Sequence, residues 1–140
     1  MSAENVTIVR DAFQVFNTEG IDVALPFFGA DAVWYTTDRW VDSAAYRGHD
    51  GIRALVAAWL ENFDDLGYDV REIHDAQDRV VALVHMTGRI KGTGSPISQP
   101  LGFVVSGFRL GTMGEVRAFA TWDEALRAAG LRQPQEGGRS

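Results

Sequence analysis

The 140-residue chain contains no cysteine, which excludes a thiol nucleophile, thiolate metal ligation and any disulfide. That fits a reducing compartment. Positive charge is also scarce, with 13 Lys and Arg against 19 Asp and Glu and a formal net charge of −6. A phosphate backbone selects the opposite balance, and no basic cluster offsets it locally, so nucleic acid is not an expected partner. No apolar run approaches the roughly 20 residues needed to span a bilayer. The opening "MSAENVTIVRDAF" is too polar for a signal peptide. A cytoplasmic protein without a membrane partner is the expectation. The three histidines, His49, His74 and His85, are isolated from one another in the sequence. They offer no metal-ligand cluster, and neither a metal nor another cofactor is expected. The glycines of "KGTGSPISQP" lack the strand–helix context of a phosphate loop.

What the chain does have is apolar patterning. Hydrophobic residues make up 46% of the sequence, enough for one domain with one core and no staple. Residues 1–131 read as that domain and residues 132–140 as a disordered tail. Ser2 can cap a first helix in which Val6, Val9, Phe13 and Phe16 recur at helical spacing. "NTEG" stops it, with Gly20 as a left-handed terminator. Asp22 caps a short second helix through Phe28. A strand follows over Asp31–Thr37, then a loop or irregular hairpin in "RWVDSAAYRG". Ile52, Leu55, Val56, Trp59 and Phe63 define an amphipathic helix from Asp50. The period then changes to two, predicting strands over Tyr68–Asp75, Arg79–Ile90, Ile97–Arg109 and Thr112–Thr121. The last pair is joined by a tight turn at Leu110–Gly111, and Asp123 caps a terminal helix. Helices first and antiparallel strands later make an α+β fold.

Five segments in this order, "VRDAFQVFNTEGID", "DAVWY", "YRGHDGIRALVAAW", "DRVVALV" and "VRAFATWDEALRAAGL", resemble the SnoaL-like branch of the nuclear-transport-factor-2-like superfamily. The resemblance implies a curved antiparallel sheet wrapped into a cone. Three helices from the N-terminal half lie over its concave face, and a short C-terminal helix follows. It implies an apolar pocket between sheet and helices, and homodimers paired through the opposite sheet face, where Val105 and Phe119 are expected. The superfamily includes polyketide cyclases, isomerases, epoxide hydrolases and non-catalytic binding domains, so the fold alone does not fix the function.

Assigned through the resemblance, the pocket-facing residues are Trp34, Thr36, His85, Val104, Ser106, Val116, Ala118 and Trp122. Phe16, Leu55 and Trp59 reach in from helices, and Trp40 adds an aromatic wall. Ketosteroid isomerase chemistry needs a carboxylate base, a tyrosine and a protonated aspartate. Those positions fall on Thr36, Ala12 and Ser106, so that reaction is not supported. Limonene epoxide hydrolase places an arginine two residues before an aspartate, and no Arg-x-Asp occurs here. An aspartate–histidine acid/base pair of the polyketide-cyclase kind can be assembled only from Asp38 and His85. His49 reads as part of the "YRGHDG" turn that starts a helix, and His74 as a solvated turn residue. Three readings follow. The first is a binder, and acid/base cyclase or isomerase, for a small hydrophobic polyketide- or terpenoid-like molecule. The second is a non-catalytic binder with the same pocket, and the third a dimerisation module. An open pocket with two polar groups at its base favours the first; a filled core favours the third.

Overall fold

The computed structural model describes residues 2–36 and 45–131. Asp38, Trp40 and the tail at 132–140 lie outside the described residues. The chain begins with α1 (Ser2–Glu19), then α2 (Ile21–Ala24) and a 3-10 turn at Leu25–Phe27. Strand β1 (Phe28–Tyr35) and the short β2 (Ala45–Arg47) lead into α3 (Gly48–Leu60). Four strands follow, β3 (Phe63–Ala76), β4 (Arg79–Ile90), β5 (Pro96–Ser106) and β6 (Met113–Phe119), before α4 (Trp122–Ala128). They form one six-stranded sheet in the order β2-β1-β6-β5-β4-β3.

Helix α1 buries Val9 and Ala12 and packs Val6, Phe13 and Phe16 against the core, the stripe that its spacing predicts. It stops at Gly20, whose φ of 91° and ψ of −178° belong to a region open essentially to glycine alone. The terminator is therefore a glycine, though not in the left-handed helical conformation expected. Gly20, not Asp22, stands at the N-cap of α2, and Asp22 lies in its first turn; its carboxylate pairs with Arg53 of α3 at 2.9 Å. Helix α4 is capped by Thr121, whose hydroxyl accepts from the Glu124 N–H at 3.1 Å, two residues earlier than the expected Asp123. Most ladders are antiparallel, but β1 runs parallel to β6, which joins the N-terminal hairpin to the C-terminal strands across the sheet centre. In the hairpin, β2 pairs with β1 from Ala45 to Arg47, so the end of the expected loop is a strand.

The curved sheet has two apolar faces, and each is covered. On the concave face, Val80, Ala82, Val84 and Met86 of β4 join Leu101, Phe103 and Val105 of β5 in the main core beneath α1 and α3. On the other face, Val81, Leu83 and Val104 pack against Ala125 and Leu126 of α4. Val105 thus belongs to the core, and Phe119 is partly buried against the α4 cluster. The apolar patch from which outer-face pairing was expected is largely covered within the chain itself.

That double covering also corrects the face assignments. Residues 80–84 and 101–105 are buried without a break, so neither strand shows the alternation that separates inside from outside. The observed register puts Val104 opposite Val81 and Arg117, and His85 opposite Pro100 and Asp69. His85, Val104, Ser106 and Trp122 were expected to face the pocket; the three strand residues stand on the α4 side, one residue out of register, and Trp122 lies beyond β6 as the first residue of α4 itself. Val116 and Ala118 of β6 do lie on the core side.

Candidate functional site

The concave face and its helices enclose a cavity of about 50 Å³. Helix α1 contributes Phe13 and Phe16, α3 contributes Leu55 and Trp59, and the strands contribute Phe28, Trp34, Tyr68, Phe103 and Val116. The helical members come from spacing of three and four residues, which keeps one face of each helix on the sheet. Of the residues expected to line a pocket, Phe16, Trp34, Leu55, Trp59 and Val116 meet here. Thr36 follows β1 without reaching the wall.

The rings interlock. Tyr68 meets Phe13 at 5.5 Å and Phe103 at 5.8 Å between centroids, both edge-on. Trp34 meets Phe103 edge-on at 5.4 Å and Phe28 at 6.0 Å. Such offset and edge contacts are the favoured aromatic geometry. Phe13, Phe16 and Trp59 are only partly buried, so solvent approaches the cavity from the α1–α3 side.

Tyr68 and Phe103 were not among the expected pocket residues. Phe103 was missed through the one-residue register slip. Tyr68 is held by a contact that no local pattern announces. Asn17, near the end of α1, donates from Nδ2 to the Tyr68 carbonyl at 2.8 Å. Its Oδ1 accepts from the Tyr68 N–H at 2.9 Å. Strand β3 is a sheet edge, and this side-chain amide satisfies edge groups that would otherwise face solvent or another chain.

Among the described residues Tyr68 is the one titratable group on the cavity wall. Burial pushes its phenol well above the ordinary range, because a phenolate has no solvation among these rings. It is neutral at any working pH. The Trp34 indole nitrogen, also buried, has no hydrogen-bond partner among the described residues.

His85 has quite different surroundings. Its Nδ1 lies 3.2 Å from the Ser98 hydroxyl, and its ring stands edge-on to Trp122 at 5.5 Å. The Trp122 indole donates to the Val84 carbonyl at 3.0 Å. The sheet separates this pair from the cavity. His49 makes a structural bond, its Nε2 lying 2.8 Å from the Phe28 carbonyl, which ties the start of α3 to β1. His74 pairs with Glu72 at 2.8 Å on an exposed strand edge. Among the described residues no group of three His, Asp or Glu side chains converges to hold a metal.

A helix-lidded concave sheet with an aromatic cavity is thus joined to a sequence whose residues 9–119 match the profile of the SnoaL-like domain. The chain belongs to the SnoaL-like family. Among curated proteins no sequence matches it. Solved structures repeat the SnoaL-like fold at low identity. TerC, co-crystallised with polyporic acid, is 15% identical with a TM-score of 0.74, covering 91% of this chain and 98% of its own. A nuclear-transport-factor-2-like protein from Burkholderia xenovorans LB400 is 24% identical, with a TM-score of 0.70 and coverage of 92% and 98%. A protein with a ketosteroid isomerase-like fold from Catenulispora acidiphila DSM 44928, in complex with trimethylamine, is 18% identical. Its TM-score is 0.71, with coverage of 89% and 92%. No helix among the described residues of this SnoaL-like chain is long and apolar enough to cross a membrane.

Proposed function

We propose that this SnoaL-like domain binds one small, neutral, mainly apolar molecule in the cavity between the sheet and α1–α3, without acid–base chemistry. The carrying observation is the cavity wall itself, aromatic and aliphatic throughout among the described residues, where its one titratable group is a tyrosine whose pKa burial raises. Burying an ion there would cost several kcal/mol, with no counter-charge among the described wall residues to offset it. A cyclase- or isomerase-type conversion of a polyketide- or terpenoid-like substrate needs a proton donor and acceptor at the reacting atoms. His85, the histidine expected to supply one, is on the opposite face of the sheet, so that reading gains no support. A pure interaction module would need no cavity, yet about 50 Å³ stays open, more than the roughly 10–15 Å³ that a single water occupies on this measure. Two solved structures of the same fold, one co-crystallised with polyporic acid and one in complex with trimethylamine, support small-molecule binding by the fold; both molecules are ionisable, so the neutrality of the ligand here rests on the wall of this cavity alone.

Trp34 and Trp59 both form walls of the cavity, so a flat apolar probe such as toluene should change tryptophan fluorescence saturably. Trp59→Ala should weaken that binding about tenfold while a cooperative thermal transition survives. His85→Ala should leave it within twofold of wild type. An unchanged spectrum across toluene and similar probes overturns the proposal.

A further inference from the structure

The buried indole N–H of Trp34 is an unusual group for an apolar wall. Trp34 is only 7% exposed. Among the described residues its Nε1 is the one buried side-chain polar atom with no partner. A buried donor is normally satisfied, and this chain does so for its other sheet-packed indole, since Trp122 donates to Val84. The neighbours of Trp34 on the wall, Phe28, Phe103 and Val116, bring no oxygen or nitrogen in their side chains. A phenylalanine would supply the same aromatic surface without leaving a donor stranded. Water is a poor solution, because an ordered buried water needs two to four polar partners and this wall offers too few.

We infer that the molecule held in the cavity is a neutral apolar compound carrying one hydrogen-bond acceptor, a carbonyl or ether oxygen, to which Trp34 Nε1 donates. This rests on the binding reading above and narrows it to a chemical class. An apolar body replaces contacts that the rings otherwise lack, and the single oxygen removes the unpaired donor. A carboxylate would accept from the indole but bury a charge with no counter-charge among the described wall residues, and an ammonium has no acceptor to offer.

The test compares cyclopentanone with methylenecyclopentane, two rings of nearly the same shape that differ in carrying C=O or C=CH₂. Both are titrated by NMR into the wild-type chain and into Trp34→Phe. One neutral hydrogen bond predicts that the ketone-to-alkene affinity ratio falls about three- to tenfold in Trp34→Phe. Taking this ratio cancels the greater hydration of the ketone. In the wild-type protein the ketone should also move the Trp34 indole N–H proton downfield while the alkene does not. That resonance is assigned through its contacts with the Phe28 and Phe103 rings, so it decides the matter even if Trp34→Phe does not fold. A ratio unchanged within twofold, or equal indole shifts with both probes, overturns the inference alone. If neither ring compound enters the cavity, the binding reading itself falls and the inference with it.

Discussion

Tyr68 shows how one side chain couples the cavity to stability. Its phenol has an ordinary pKa of 10.0, raised in the folded chain by burial. Above pH 10 the unfolded phenol releases its proton while the native one retains it, so the native state binds more protons. Its contribution is therefore fully present below pH 10 and is lost as pH rises towards the native value. By pH 11 the loss should reach about 1 kcal/mol. Urea unfolding at pH 9 and pH 11 measures it: the wild type should lose roughly 1 kcal/mol more than Tyr68→Phe over that interval. Equal losses would mean that the native phenol titrates freely. At this scale the sequence was readable where a role is local. The helix start at "YRGHDG" is visible without the fold, because neighbours in the chain define it, whereas the bond of the His49 ring to the Phe28 carbonyl, 21 positions away, is not. Tyr68 was not readable as a wall residue, since Asn17, 51 positions away, holds its backbone.

Elements were legible in proportion to their amphipathicity. Strand β4 has the bounds Arg79–Ile90 that its composition predicts, and α1 and α3 follow their apolar stripes. The faces of β4 and β5 were not legible, because α4 covers one side while α1 and α3 cover the other, and uninterrupted burial erases the period-two signal. Two substitutions test how these layers are fastened. Asn17→Ala removes both bonds to the β3 edge and should cost about 1–3 kcal/mol. Asn17→Asp, which retains the acceptor but loses the donor, should recover only part of it. Chemical denaturation of both variants checks the order. On the opposite face, α4 lies so close to β5 that a Cβ at Gly102 would stand 2.5 Å from that of Ala125. Gly102→Ala should therefore destabilise by roughly 1–3 kcal/mol through overpacking. Ala125→Gly in the same chain should restore part of that loss, beyond its own helix cost of about 1 kcal/mol. Strictly additive losses would contradict the contact.

For the whole molecule, the six-stranded sheet works as a partition. One side carries the aromatic cavity, and the other carries α4 with the His85–Trp122 contact. The SnoaL-like resemblance located the architecture and the cavity. The acid/base pair built on it needed a face assignment that unbroken burial does not encode. The central claim is that the concave side holds a dry, fillable cavity. Xenon tests it most directly, because the atom enters apolar cavities without needing a polar partner. A crystal of the protein under xenon pressure should show one strong site bounded by Trp34, Leu55, Tyr68 and Phe103. Xenon absent from that position, or found only at the protein surface, would contradict the account.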